Sequence, residues 1–198
     1  PFPTVEGLYK KPTVVNNVET LAAIPGILKY GAKSFSSIGN IKSAGTKLVC
    51  LDSLFKNPGV YEMDMGTPMK KIIYDIGGGF IKPVKALQVG GPLGGVIPIK
   101  EVEKLNLDFQ EFMKAGFMLG HGGIVSIPEE FNMIKYIHHL FKFSAEESCG
   151  KCFPGRLGSY RGKEMFDQAI NKTNKIPIKL LNELLITMQK GSLCALCG

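Results

Sequence analysis

Four cysteines in two pairs are the residues of this chain best suited to chemistry. Cys149 and Cys152 form a C-x-x-C pair within "ESCGKCFPGRLGSYRG", and Cys194 and Cys197 form a second within "SLCALCG". Four thiolates at this spacing are enough for a tetrahedral zinc site or a four-cysteine iron–sulfur cluster. The fifth cysteine, Cys50, lies in the apolar run "KLVCL" and is predicted to be a buried small hydrophobic residue.

The separation of the two pairs favours a cluster. Zinc ribbons place the second pair about 15–20 residues after the first, whereas Cys194 follows Cys152 by 42 positions. The intervening sequence is typical of two amphipathic helices, so a metal centre bound by both pairs would cross-link a helical bundle. A cluster buried among helices is therefore the preferred interpretation. A zinc ion with a purely structural role is the alternative.

Composition excludes some functional classes. The chain has 198 residues and a formal net charge of +7, but Arg156 and Arg161 are its only arginines. Nucleic-acid binders cluster arginines and aromatic residues on one surface, so no nucleic-acid binding is expected. The excess of basic over acidic residues indicates a solvated surface or a docking face for an acidic partner. No apolar run approaches the roughly 18–20 residues of a membrane span. The opening "PFPTVEGLYKKPTVV" resembles an interior segment, so we expect a fragment of a longer protein.

The sequence divides into three sections, and their folded elements position the cysteines. In residues 1–45 an extended stretch precedes a helix in "VETLAAIPGILKYG", which Pro25 is expected to interrupt. Residues 46–128 alternate β-branched runs with glycines. Strands are predicted in "TKLVCLDS", "VYEMD" and "VKALQVGG", with a short helix in "TPMKKIIYDIGGG". This order predicts an α+β unit of the β-grasp type.

Residues 129–198 are predicted to be helical. "EEFNMIKYIHHLFKF", "RLGSYRGKEMFDQAI" and "PIKLLNELLITMQKG" have helical apolar spacing, and "SAEE" has the form of a capping box that would start a new helical turn before Cys149. The glycines of "QVGGPLGG" and "GHGGIV" fit no phosphate-binding motif and are interpreted as turns. His121 is expected to form structural hydrogen bonds. His138 and His139 are adjacent and cannot form a metal-binding pair.

Taken together, these stretches resemble the flavin-bearing subunit of NADH dehydrogenases and its relatives in NAD-dependent formate dehydrogenases and bidirectional hydrogenases. The similar segments are "KPTVVNNVETL", "GTKLV" with "NPGVYE", "QVGGPLGG", "GHGGIV", "AEESCGKC" with "GRLGSYRG", and "GSLCAL". They cover almost the whole chain, and "ESCGKC" followed by "SLCAL" is a specific combination. The beta subunit of NAD-dependent formate dehydrogenase is the preferred branch.

The resemblance implies three domains and an electron-transfer function. Residues 1–45 would be the tail of an α/β domain that binds FMN and NADH, 46–128 a soluble-ligand-binding (SLBB) β-grasp domain, and 129–198 a helical domain with a [4Fe–4S] cluster. In such subunits NADH reduces FMN by hydride transfer, and FMN passes single electrons to the cluster. Asn16, Asn17 and Thr20 would lie at the flavin. No catalytic acid, base or nucleophile is expected.

The resemblance also implies partners and a location. They are a thioredoxin-like [2Fe–2S] subunit and a larger multi-cluster or catalytic subunit, in a cytoplasmic complex that can be peripheral to the inner membrane. The main FMN- and NAD(H)-binding loops of the family have no counterpart in this chain, so tight binding of either by this chain alone is not expected. Arg156 and Arg161 would either offset the negative charge of the cluster or be ordinary surface cations.

One departure from the family concerns the cluster itself. The family pattern is C-x-x-C-x-x-C followed by a distant cysteine, which matches Cys149, Cys152 and Cys194 but puts Gly155 in place of the third thiolate. Cys197 stands where the family usually has glycine, so we hypothesise that it supplies the missing ligand. The rivals are a three-iron or labile cluster with an open site, and a chain that has lost its cluster. A β-grasp ligand-binding protein with a vestigial metal site is a third functional class.

Overall fold

A computed structural model describes residues 1–92, 94–172 and 174–198, so Leu93 of "QVGGPLGG" lies outside the described residues. The described chain is a mixture of helices and strands. The helices are α1 (Val18–Tyr30), α2 (Ala32–Ser36), α3 (Met69–Lys71), α4 (Ile99–Val102), α5 (Phe109–Lys114), α6 (Met133–Glu147), α7 (Ser159–Ile170) and α8 (Ile178–Gly191). The strands are β1 (Gly39–Asn40), β2 (Ser43–Ala44), β3 (Thr46–Leu51), β4 (Gly59–Asp64), β5 (Val84–Val89), β6 (Gly95–Pro98) and β7 (Gly123–Pro128). Leu8–Lys10 form a 3-10 turn, while Ile72–Ile76 and Pro154–Gly158 form π-helical turns.

The main sheet has the order β4-β3-β7-β5-β6 within the described residues. β3 and β4 form an antiparallel hairpin in which Val49 faces Tyr61, and β3 runs parallel to β7, with Cys50 beside Gly123. β5 is antiparallel to both β6 and β7. The predicted strands in "TKLVCLDS", "VYEMD" and "VKALQVGG" are therefore confirmed, as is a helical segment in "TPMKKIIYDIGGG".

One face of this sheet carries the largest core. Val49, Leu51 and Leu87 point from the strands into a cluster that includes Ile72 and Phe112 of the covering helical segments. Side chains alternate between the faces of a strand, so the residue between Val49 and Leu51 must point outward. The prediction that Cys50 is buried is therefore wrong, since its side chain is exposed.

The helical section has its own core at its centre. Phe141 of α6 stacks on Phe166 of α7 with ring centroids 5.6 Å apart, and Met188 of α8 completes the cluster. Glycines allow the close contact: a Cβ at position 162 would lie 2.1 Å from the Phe141 ring, and one at position 158 would lie 2.8 Å from Met188 Cγ. The three helical segments are thus packed at distances that only glycine permits.

Two predicted helix boundaries are wrong. Helix α1 runs from Val18 through Pro25 to Tyr30 without interruption. This exposed helix buries none of its residues, so the backbone carbonyl that loses its donor at Pro25 can bind water. The capping box at Ser144 does not start a helix either. Helix α6 continues through Ser144 to Glu147 because its apolar face extends to the buried Ala145.

Contacts between the three sections fix their arrangement. Tyr136 of α6 packs against Ala86 and Ile127 on the other face of the sheet. The Glu19 carboxylate of α1 accepts a hydrogen bond from the Leu48 backbone N–H at 2.9 Å and pairs with the buried Lys47 ammonium. Within the described residues, no helix has the length and apolar character needed to cross a membrane.

Candidate metal centre

The four paired cysteines meet at one end of the helical section. Cys149 and Cys152 lie in the loop between α6 and the turn Pro154–Gly158, and Cys194 and Cys197 follow α8. Burial raises the pKa of Cys197 against the lowering effect of the Ser148 hydroxyl, and the nearby thiolate charges of the other three cysteines raise it further. None of the four is in a disulfide. The structure therefore places the four cysteines proposed as ligands in the same part of the helical section.

Gly155 lies at the centre of this arrangement. A Cβ at this position would lie 2.9 Å from Cys152 Sγ, 3.4 Å from Cys197 Sγ and 3.5 Å from Cys197 Cβ. The side chain of Cys197 therefore lies beside the space that a side chain at position 155 would enter. After Cys152, the thiol next to the position of the missing third ligand is therefore that of Cys197, which lies beyond α8.

The surroundings of Cys152 favour its thiolate. Hydrogen bonds from the backbone N–H groups of Leu193 and Gly155 lower the pKa of Cys152 against the opposing effect of burial, with a smaller contribution from the Ser192 hydroxyl. Cys197 differs because it is 9% exposed and packs against the helical core. Cys149 and Cys194 are exposed. The site therefore has a buried side and a solvent-facing side.

Several polar groups fix the loops that carry the cysteines. The guanidinium of Arg156 donates to the Gly150 carbonyl at 3.0 Å, inside the first C-x-x-C pair. The Ser159 hydroxyl donates to the Gly155 carbonyl. Arg161 instead pairs with Glu164 at 3.1 Å on the surface of α7, as an ordinary surface cation would. The first arginine therefore holds the cysteine loop, and the second does not.

Two serines at the site were missed by the sequence analysis. The hydroxyl of Ser148 acts on Cys197, where it opposes the raised pKa of that thiol, and the hydroxyl of Ser192 acts on Cys152. Each serine lies one or two positions before a cysteine in the sequence. A search for hydroxyl residues beside the C-x-x-C pairs would have found both.

Four cysteine thiols are the donor set of a [4Fe–4S] cluster. Among residues 1–92, 94–172 and 174–198, no three His, Cys, Asp or Glu side chains are arranged so as to hold one metal ion. A tetrahedral zinc ion with bonds of about 2.3 Å requires sulfurs about 3.8 Å apart. Four cysteines around a [4Fe–4S] cluster each bind a different iron of a larger body. Four convergent thiols, N–H donors and a buried hydroxyl are the groups that such a cluster uses.

The remaining candidate residues lie elsewhere. His121 Nδ1 accepts the Gly123 N–H at 3.0 Å, which confirms its predicted structural role. His138 pairs with Asp167 of α7 at 2.7 Å and does not form a metal pair with its neighbour His139. In the described residues, histidine therefore contributes nothing to the cysteine site.

The three candidate flavin residues lie at the start of α1. Asn17 is the N-cap and accepts the Glu19 N–H at 2.8 Å, while Asn16 Oδ1 accepts the Asn17 N–H. Both asparagines and Thr20 are exposed. These three side chains alone do not make a flavin site.

The geometry defines a class of structure: a mixed α/β unit followed by a helical section that carries the two cysteine pairs. More particularly, residues 135–198 match the family described as the NADH-ubiquinone oxidoreductase-F iron-sulfur binding region. The chain is also similar in sequence to F-type subunits of NADH-quinone oxidoreductases and to a hydrogenase subunit.

Individual relatives show how far this similarity extends. The chain is 38% identical to the NADP-reducing hydrogenase subunit HndC of Solidesulfovibrio fructosivorans, over 99% of this chain and 40% of that protein. It is 43% identical to an F-type NADH-quinone oxidoreductase subunit of Rhizobium meliloti (strain 1021), over 80% of this chain and 38% of the relative. An NAD+-reducing [NiFe]-hydrogenase crystal structure in the H2-reduced state superimposes with a TM-score of 0.83 at 28% identity, over 99% of this chain and 33% of that chain. The chain thus spans less than half of the length of these relatives.

Proposed function

We propose that the chain carries a [4Fe–4S] cluster on Cys149, Cys152, Cys194 and Cys197 and conducts single electrons within an NAD(H)-linked, flavin-dependent oxidoreductase subunit. The placement of Cys197 beside Gly155 carries this proposal, because it supplies a fourth thiol next to the position where this chain lacks the third cysteine of the family pattern. When bound, the cluster accepts and releases one electron at a time.

The residues of this chain then have distinct tasks. The four thiolates hold the cluster, and the N–H groups of Leu193 and Gly155 stabilise the Cys152 thiolate. Arg156 keeps the first cysteine loop in place through Gly150. The core around Cys197 excludes water from one side of the site. These tasks need no acid, base or nucleophile, as electron transfer requires none.

The exposed side of the site supports a partner. Phe153, Leu157, Tyr160 and Leu193 are large exposed side chains close in sequence to the cysteines. Exposed apolar groups beside a functional site favour a protein interface. We propose that a larger cluster-bearing subunit docks here, and that a thioredoxin-like [2Fe–2S] subunit and an FMN- and NAD(H)-binding part complete the complex. A cytoplasmic location, peripheral to the inner membrane, and the formate-dehydrogenase branch remain predictions.

The domain assignment is also a proposal. The order β4-β3-β7-β5-β6, with β3 and β7 parallel at the centre, supports a β-grasp unit over residues 46–128. The separate core of α6, α7 and α8 supports a helical domain over 129–198. Residues 1–45 would then be the tail of a flavin domain, with Asn16, Asn17 and Thr20 at the flavin of the longer protein.

Metal analysis with an absorption spectrum tests the proposal. The chain purified under anaerobic conditions should contain about four irons and show a broad visible band that dithionite bleaches. One zinc and no visible absorption would favour the structural alternative, which the family match does not favour.

The ligand set is tested by moving the cysteine. Cys197→Ser should lose the iron, and the double variant Gly155→Cys/Cys197→Gly should regain it, because the thiol returns to the position of the family pattern. Cys50→Ser is the matched control, since Cys50 is exposed on the sheet and should not affect iron content. Unchanged iron content in Cys197→Ser would show that Cys197 is not a ligand.

A further inference from the structure

A cavity of about 480 Å³ lies at the end of the helical section that is remote from the cysteines. Small-molecule sites in proteins are typically about 300–1,000 Å³ in volume, so this cavity has room for a small ligand. Ile134 stands in the first turn of α6, whereas Cys149 follows its last turn, which separates the two places by about 20 Å of helix. The described residues that line the cavity are Ile134, Ala169, Lys172, Asn174, Lys175 and Ile176.

The lining combines an apolar surface with two cations. Ile176 packs against the core of the helical section, and the side chain of Ile134 is 41% exposed. Lys172 and Lys175 are exposed, and in the described part of the chain neither ammonium group is in an ion pair. None of the described lining residues is acidic. The cavity therefore has positive charge beside apolar side chains and no carboxylate of its own to neutralise that charge.

The backbone ties the lysine-bearing wall to the end of α7. The Lys172 N–H donates to the Ala169 carbonyl at 3.2 Å, and the Asn174 side-chain amide donates to Gln168 Oε1 at 3.2 Å. Lys172 has a φ of 56°, in the left-handed region that glycine usually occupies after a helix. Strained backbone of this kind is often found at ligand sites. The amino end of α6 and the carboxyl end of α7 carry partial charges of opposite sign that offset each other, so the two ammonium groups set the sign of the potential.

We propose that this cavity binds a small organic carboxylate with an apolar chain. The carboxylate would lie against Lys172 and Lys175, because hydrogen bonds between oppositely charged groups are the stronger ones. The chain would lie against Ile134 and Ile176, because burial of each CH2 group is favourable. The inference goes beyond the proposed electron transfer and does not depend on the cluster.

Octanoate is the probe for this site, with acetate and octanol as controls that lack the chain and the charge, respectively. Isothermal titration on the 198-residue chain measures the affinity, and NMR spectra of isotope-labelled isoleucine methyl groups show where the probe binds. Octanoate should bind saturably with a Kd of about 1 mM or lower and shift the methyl signals of Ile134 and Ile176. Acetate should bind at least about tenfold more weakly, because it lacks the chain, and octanol should bind several-fold more weakly.

Three variants test the part played by the lysines. Lys172→Gly removes one ammonium group and is compatible with the positive φ, so it should weaken octanoate binding about threefold to fivefold without lowering the Tm. Lys175→Gln should weaken binding by a similar factor. Lys114→Gln on α5 removes the same charge outside the cavity and should bind octanoate like the wild type.

The proposal has three ways to fail. Methyl signals of Ile134 and Ile176 that stay in place with octanoate would show that the cavity is not a site. Equal weakening in all three variants would assign the effect to net charge alone. Octanol that binds as tightly as octanoate would show that the lysines contribute nothing. Iron content enters none of these readouts, so they test the cavity separately from the cluster.

Discussion

Replacing Gly162 by alanine tests how tightly the helical section is packed. A Cβ at this position would lie 2.1, 2.2 and 2.6 Å from three atoms of the Phe141 ring, whereas carbon atoms in contact are normally about 3.5–4.0 Å apart. Phe141 is buried and stacked on Phe166, so its ring cannot move aside without breaking that contact. The substitution must therefore shift α7 against α6.

The magnitude follows from two opposing effects. Overpacking of a core costs about 1–3 kcal/mol, and an overlap of this size belongs at the upper end. Alanine is more favourable than glycine inside a helix by about 1 kcal/mol. Gly162→Ala should thus lower the free energy of unfolding by about 2 kcal/mol, or the Tm by roughly 4–8 °C for a chain of this size. Circular dichroism during thermal and urea unfolding measures both.

Gly26→Ala is the matched control. Gly26 also lies inside a helix, but nothing lies within 4 Å of its Cβ position. This variant should raise the free energy of unfolding by up to about 1 kcal/mol, because only the helix preference changes. If both variants are stabilised equally, Phe141 does not pack against position 162, and the reasoning about this core fails.

Three further results are expected. Glu19→Gln should lower the free energy of unfolding by about 1–2 kcal/mol in urea, because Lys47 stays buried without its counter-charge, while the 34% exposure of the Glu19 side chain reduces the cost. Burial raises the pKa of Glu19, but bonds from Lys47 and the Leu48 N–H lower it overall, below its ordinary 4.5. Its contribution is therefore present above pH 4.5 and lost as pH falls through the folded value, so stability between about pH 5 and pH 3 should fall less steeply in Glu19→Gln than in wild type. In the iron-loaded chain, iodoacetamide should label Cys50 and spare the four ligands, and mass spectrometry after iron removal should show new labels at the exposed Cys149 and Cys194.

Local patterns predicted much of the fold. The β-branched runs and their glycine turns indicated β3, β4 and β5 because both signals act within a few residues. The inward and outward faces of β3 could not be read from "KLVCL", since apolar residues stand on both faces of that run. Lys47 points inward because Glu19, 28 residues earlier, pairs with it. A contact between residues 28 positions apart produces no local pattern in the sequence.

The candidate site, like the fold, could be predicted from the sequence only in part. Spacing alone indicated that Cys149, Cys152, Cys194 and Cys197 act together, because C-x-x-C is a local metal-binding signal. The position of Cys197 beside Gly155 depends on how α8 packs against the preceding helical run, and that packing requires the close contact at Gly158. Tertiary contacts of this kind could not be predicted from the sequence.

The carboxylate of Glu19 has a consequence for how the chain can be divided. A shortened chain that starts at residue 46 would retain all strands of the main sheet, yet it would lose the group that accepts the Leu48 N–H and neutralises the Lys47 ammonium. The smallest autonomous folding unit therefore extends upstream of the sheet to include α1. Limited proteolysis between α2 and β3 would then release α1 and α2 and weaken the remaining domain at the same time, so the sequence boundary at residue 45 is not a thermodynamic boundary.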